Sequence, residues 1–322
     1  MPSEPELPTP RNAVRVRPMR TDDLDAADRV MRLAFGTIRG LPDPSTAFGD
    51  RDLVRTRFRA APECAWVAEF DGDVVGSVLA TRWGSFGFFG PLTVHPDFWD
   101  RGIGGRLLRP VLEAFGQWDL RQAGLFTFAD SPKHLSLYRK HGFRPGSLTV
   151  VVEREGGGAT SSGYELVSHQ GQGLATVLDE IRGLTDPVFP GLDVSREIVA
   201  VHELEIGDTL LLRRAGTLNG IAVCHRGAGS EAGSETCYVK VAAVRPGPSA
   251  GPLFEQLLDA CETYAARSRL SRIVAGVDTG RDDAHRRLLA RGFRVLQTGL
   301  AMWSPPDGPH FDTPDYVIAD LR

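Results

Sequence analysis

The stretch Leu92–Leu108, LTVHPDFWDRGIGGRLL, runs from an apolar strand into a helix through an Arg-Gly-x-Gly-Gly turn. A helix N-terminus leaves its first N–H groups without partners, so such a turn gathers them on one side, with the macrodipole behind them, ready for an anion. Gly102, Gly104 and Gly105 allow close backbone approach, and Arg101 and Arg106 add charge. Leu107, Leu108, Val111, Leu112 and Phe115 recur at helical spacing, which predicts a helix anchored to a sheet. The turn lacks the Gly-Lys-Ser/Thr ending of a nucleoside-triphosphate loop, and its glycines are too close for the dinucleotide Gly-x-Gly-x-x-Gly. It reads as a phosphate cradle, set against the plainer alternative of a close-packed turn with no ligand.

A second block follows about thirty residues on. Ser131–Phe143, SPKHLSLYRKHGF, reads as a short helix with a Ser cap, Pro in its first turn and Gly142 at the C′ position, leading into a strand. Together the two blocks resemble the GNAT superfamily of N-acetyltransferases. Its acyl-CoA motif reads Gln/Arg-x-x-Gly-x-Gly/Ala after a strand, and its next motif ends in Leu-Tyr-x-x-x-Gly-Phe. Leu137, Tyr138, Gly142 and Phe143 match the second motif, with Ser131 at its opening Asn position. Two positions depart: Trp99 stands where the family has Gln or Arg, and His134 where it has Ala.

The resemblance implies an α/β (α+β) fold, a twisted mixed sheet flanked by helices, with a splayed cleft for acetyl-CoA. In that cleft the backbone of Leu92, Thr93 and Val94 would pair with the pantetheine arm, as a peptide adds to a strand edge. The turn Arg101, Gly102, Ile103, Gly104, Gly105 and Arg106 would hold the pyrophosphate, with Ser131 also beside the cofactor. A neutral amine would attack the thioester directly, and Tyr138, a phenol of pKa about 10, would protonate the departing thiolate. The base is open among Glu69, His95, Asp130 and His134, with Asp130 and His134 foremost. The aromatic run Trp83–Phe89, WGSFGFF, suits either an apolar wall of the acceptor pocket or a plain core strand.

At 322 residues with 42% hydrophobic composition, the chain suits two globular domains. A net charge of −4 gives no electrostatic pull towards nucleic acid or anionic membrane, so neither partner is expected. No run of 18 apolar residues or signal-peptide core is present, and a cytoplasmic protein is expected. Cys64, Cys224, Cys237 and Cys261 show no metal spacing and read as reduced thiols; no metal is expected.

Sliding the chain against itself reveals an ordered self-similarity at an offset of 150 residues. Leu24 answers Leu174, Val94 and Pro96 answer Val244 and Pro246, Leu107 and Leu108 answer Leu257 and Leu258, and Gly142 and Phe143 answer Gly292 and Phe293. This predicts tandem copies at 14–154 and 164–303, joined by a Gly/Ser/Thr linker at 155–163, with a free arm before residue 14 and a tail at 304–322 that ends in a strand or a brace. The second copy is chemically degraded. Its turn reads Gly251-Pro252-Leu253-Phe254-Glu255, where Pro252 removes a donor and Glu255 would repel phosphate, and Leu288 replaces the tyrosine.

The leading expectation is an acetyl-CoA-dependent N-acetyltransferase acting on a small-molecule amine, in antibiotic modification or secondary metabolism, such as an aminophosphonate or nucleotide-linked amine. The alternatives are a CoA-responsive binding module without turnover and a protein or peptide acetyltransferase. A homodimer is left open.

Overall fold

The computed structural model describes residues 13–156, 163–171, 173–305, 311 and 315–322. The arm before residue 13, the linker core at 157–162 and most of 306–314 lie outside the described residues. The first half builds β1 (Arg15–Pro18), α1 (Leu24–Ile38), α2 (Leu53–Ala60), β2 (Ala65–Phe70), β3 (Asp73–Trp83), β4 (Phe86–Val94), α3 (Ile103–Gln117), β5 (Gln122–Thr127), α4 (Pro132–Lys140) and β6 (Arg144–Glu155). The second half follows with β7 (Glu165–Leu166), α5 (Leu174–Thr185), α6 (Ser195–Glu203), β8 (Gly207–Arg214), β9 (Thr217–Gly227), β10 (Gly233–Val244), α7 (Ala250–Arg267), β11 (Arg272–Asp278), α8 (Asp282–Ala290), β12 (Arg294–Ser304) and β13 (Val317–Ala319). No helix among the described residues is long and apolar enough to cross a membrane.

The self-similarity in sequence reappears as geometry. Asp71 and Gly72 between β2 and β3 take φ of 50° and 93°, and Ala215 and Gly216 between β8 and β9 take 47° and 78°. Positive φ at both central residues is the two-residue hairpin turn whose twist matches the strands it joins. Gly142 and Gly292, which end α4 and α8, share φ of 88° and 86°.

Strand pairing is where the two halves stop being separate. All strands lie in one sheet in the order β1-β2-β3-β4-β5-β12-β6-β11-β10-β9-β8-β7, with β13 added against β10. Each half therefore lends its last long strand to the other. β12 pairs antiparallel with β5 from Leu300↔Thr127 to Ser304↔Ala123, and β6 pairs antiparallel with β11 from Thr149↔Asp278 to Glu155↔Arg272. Glycine permits the insertion: a Cβ on Gly124 of β5 would stand 2.7 Å from the Trp303 ring, and one on Gly146 of β6 only 2.2 Å from its indole nitrogen.

The aromatic run settles as core between the halves. Trp83, Phe86 and Phe88 are buried with Phe189, Leu192, Trp303 and Phe311, and the Phe86 and Phe311 rings stack at 4.2 Å. Burying each such side chain contributes about 1.5–3 kcal/mol, so Trp83, Phe86 and Phe88 hold the two halves together, while Phe89 packs in the first-half core with Tyr138 and Phe143.

Candidate active site

β4 and β5 run parallel only from Phe86↔Gln122 to Phe89↔Leu125. The next residue pair, Gly90-Pro91, makes a bulge: two steps on β3, Val78 to Ala80, face three on β4, Leu92 to Phe89. Pro91 has no N–H for a ladder, and a bulge re-aims the strand that carries it. β4 stays paired with β3 as far as Val94↔Gly76 while its other edge leaves β5, so Leu92–Val94 present a free main-chain edge to the resulting wedge.

The predicted cradle closes one end of that wedge. Gly102, with φ of 73°, precedes α3, and the first helical bond runs from the Arg106 N–H to the Gly102 carbonyl at 3.3 Å. The amides of Ile103, Gly104 and Gly105 thus have no acceptor within the helix. Space above Gly102 is open, whereas a Cβ on Gly104 would touch Leu137 of α4 at 3.4 Å. Gly104 therefore serves packing as well as approach. The Arg101 guanidinium lies 4.8 Å from the centre of the Phe98 ring, and Arg106 donates to the Val14 carbonyl at 3.2 Å. Trp99 turns back onto the strand: its indole N–H donates to the Val94 carbonyl at 2.7 Å, so it braces the turn from within. Lys133, unmarked in the sequence reading, brings its ammonium to 2.6 Å from Asp100 and 5.7 Å from the centre of the Trp99 ring.

Ser131 caps α4 by accepting from the His134 N–H at 3.5 Å. Tyr138, one turn on, is buried with its ring 5.7 Å from Phe89, the last β4 residue paired to β5. Burial pushes the Tyr138 hydroxyl above its ordinary pKa, with a hydrogen bond to Thr127 acting slightly the other way. His134 lies nearly parallel to Tyr138 at 6.5 Å, and its Nδ1 is buried without a hydrogen-bond partner. Burial first, then the Lys133 charge, hold His134 below the usual imidazole pKa, so it is neutral at pH 7. Of the other base candidates, Asp130 is solvent-exposed, Glu69 is ion-paired with Arg17 at 2.7 Å, and His95 Nδ1 accepts from the Asp97 N–H at 3.3 Å.

The equivalent wedge in the second half is filled by the chain itself. β10 and β11 run parallel from Thr236↔Arg272 to Val239↔Ala275. Beyond that, β13 pairs antiparallel with β10 at Val241↔Ala319, Ala242↔Ile318 and Ala243↔Val317. A Cβ on Gly251 would meet Arg287 and the Tyr316 hydroxyl, each at 2.9 Å, and Glu255 is ion-paired with Arg287 and Arg291. The tail is thus a strand that occupies the edge left free in the first half.

A wedge between parallel strands, with a glycine-opened helix N-terminus at one end and a buried tyrosine at its base, is the architecture of an acyl-CoA-dependent acyltransferase. The chain belongs to the GNAT family of acetyltransferases: residues 35–143 match the acetyltransferase (GNAT) family model. They are accompanied by a 31% identity over 138 residues to YjhQ, an uncharacterised N-acetyltransferase of Escherichia coli, covering 39% of this chain and 67% of that protein. Among solved structures, a protein of Pyrococcus horikoshii described as an acetyltransferase superposes with a TM-score of 0.70 at 16% identity, over 99% of this chain and 98% of its own. A tandem GNAT protein from the clavulanic acid biosynthesis pathway superposes with a TM-score of 0.54 at 17% identity, over 91% of this chain and 98% of its own. At these identities the structures share the fold. The chain is an N-acetyltransferase of this family, whose members use acetyl-CoA as cosubstrate and a small-molecule or peptide acceptor.

Proposed function

We propose that the chain acetylates the primary amine of a small molecule by direct attack, using one acetyl-CoA site in the first half (14–154), while the second half (164–303) serves as scaffold. The observation that carries this reading is the contrast between the free edge at Leu92–Val94 and the matching edge at Val241–Ala243 taken by β13. Leu92, Thr93 and Val94 would line the pantetheine arm, with the Val94 carbonyl shared with Trp99. The amides of Ile103, Gly104 and Gly105, with Arg101 and Lys133 beside them, would hold the pyrophosphate. Bound acetyl-CoA supplies a thioester open to a neutral amine and a thiolate leaving group. Tyr138, kept protonated by burial, has the proton for that thiolate. His134, neutral and with Nδ1 turned into the protein, offers Nε2 to take the proton of the incoming ammonium, an assignment Asp130 is too exposed to share. Most of the acceleration comes from holding the reactants together.

Ties from the second half to the first narrow the acceptor side, which favours a small molecule over a peptide: Asp52 N–H donates to the Ser230 carbonyl at 3.0 Å, and Gly229 N–H to the Asp50 carbonyl at 2.9 Å. Reduced, buried cysteines suit the cytoplasm. A role in antibiotic modification or secondary metabolism is the setting in which an amine of this kind arises.

Thiol release from acetyl-CoA with a panel of amines tests the reaction. Release with at least one amine is expected, whereas tight CoA binding with no release for any amine would favour a CoA-responsive binding module. Calorimetric titration with acetyl-CoA is expected to saturate at one site per chain, and hydrogen exchange to slow at Leu92–Val94 on binding, with Val241–Ala243 already protected. Saturation at two sites would overturn the scaffold assignment.

A further inference from the structure

Arg32 of α1, ion-paired with Asp28 at 2.6 Å, donates to three carbonyls of the loop before α2: Ala47 at 2.7 Å, Gly49 at 2.8 Å and Arg51 at 2.7 Å. The second half grips the same loop, since Asp50 accepts from the Ser234 N–H at 3.1 Å and from its hydroxyl. Held from both sides, Phe48 adopts φ of 70°, a left-handed conformation that an aromatic residue adopts only under such constraint. Its ring has the Arg39 guanidinium 5.5 Å and the Arg51 guanidinium 5.2 Å from its centre. From Phe48 a row of rings leads inward: Phe35 at 5.2 Å, then Phe128 at 6.0 Å, His134 at 5.8 Å and Tyr138 at 6.5 Å, each measured from the ring before it.

Neither cation is ion-paired with a carboxylate among the described residues. Among the described residues Arg39 donates to the Gln297 amide oxygen at 3.1 Å and Arg51 to the Phe48 carbonyl at 3.2 Å, both neutral acceptors. Arg322 stands near both and repels them, although its own charge is matched by Asp320 at 2.8 Å. Asp50 attracts Arg51, but its carboxylate is engaged by Ser234. A guanidinium presents five donors in a planar fork, and most of those on Arg39 and Arg51 meet no acceptor among the described residues.

We propose that the acceptor amine carries an oxyanion, a carboxylate or a phosphoryl group, which docks on Arg39 and Arg51 while the ring row leads its amine to His134 and Tyr138. This rests on the acetyl-transfer reading. Three amines long enough to reach from the arginines along the row to His134 separate the possibilities: ω-aminododecanol, ω-aminododecanoic acid and ω-aminododecyl phosphate. The anionic acceptor that fits is expected to show a KM at least about tenfold below that of ω-aminododecanol, and the double variant Arg39→Gln, Arg51→Gln to erase the difference. A separate arm needs no turnover. With CoA saturating, so that its phosphates fill the cradle at α3, binding of inorganic phosphate and of acetate is measured by calorimetry; at least one is expected to bind and to weaken at least about tenfold in the double variant, with CoA affinity unchanged. Absence of binding by both anions, or equal binding by wild type and double variant, overturns the proposal. Thiol release that fails for every amine while anion binding persists would instead remove the acetyl-transfer reading and leave the oxyanion site standing.

Discussion

Tyr138→Phe is expected to lower kcat for acetyl transfer by about 10²-fold, the usual scale for a positioned general acid, with the KM for acetyl-CoA changed by less than about twofold. The substitution removes one oxygen and keeps the ring, which sits against Phe89 in a core that includes Phe143. What disappears is the hydroxyl held by Thr127, a loss of about 1 kcal/mol in stability. Because burial raises the hydroxyl's pKa, Tyr138 stays protonated through pH 6–9 and adds no alkaline limb of its own to the rate profile there. Steady-state kinetics of wild type and variant, each checked for equal thermal midpoint, decide the point. An unchanged kcat would take Tyr138 out of the proton transfer and leave it a packing residue.

Glu231→Ala is expected to destabilise the fold by about 3–5 kcal/mol, the scale for stripping one partner from a buried ion pair. Glu231 accepts from Arg57 at 2.6 Å and lies 2.5 Å from Lys240, which also pairs with Glu197 at 2.7 Å, and all four side chains are buried. Arg57 belongs to α2 and the other three to the second half, so the network joins the halves. Removing Glu231 leaves two buried cations to share Glu197. The Arg57 guanidinium also donates to the Gly90 carbonyl at 2.6 Å, so the loss reaches the bulge that opens the wedge.

The same network predicts acid sensitivity. Lys240 and His225 hold Glu197 down to about 2, and Arg57 with Lys240 holds Glu231 well below the carboxylate range. Both folded values lie under the unfolded value of about 4.3, so the unfolded chain binds protons first as pH falls. The stability they contribute is full above about pH 5 and drains away towards pH 2. Urea midpoints at pH 7 and pH 3 are expected to fall for wild type and to fall less for Glu231→Ala. A variant within about 1 kcal/mol of wild type at pH 7 would show that the network contributes little.

Local chemistry was legible in the residues themselves. The cap at Ser131, the left-handed Gly142, the helix over Ile103–Gln117 and the turn at Gly102 each follow from nearest neighbours along the chain, and the structure has them all. The repeat was legible for the same reason, since it is the recurrence of those local signals. Pro252 and Glu255 already mark the second turn as different from the first, whereas the strand laid along β10 has no local signal.

Partnership across the chain had to wait for the tertiary structure. An apolar alternation such as that of β6 suits β5 as well as β11, so nothing within Arg144–Glu155 says that it leaves its own half to pair with the other. Trp99 illustrates the same limit on a smaller scale: its motif position marks only a departure from Gln or Arg, and the folded turn shows its indole bound to the Val94 carbonyl. The unspent charge of Arg39 and Arg51 is likewise a property of the surroundings, because an arginine's counter-ion is chosen by folding. The sequence by itself determined which turns, caps and helices exist, since these depend on residues a few positions apart. Which strands meet, which wedge stays open and where cations gather depended on contacts between residues more than seventy positions apart, which only the folded chain brings together.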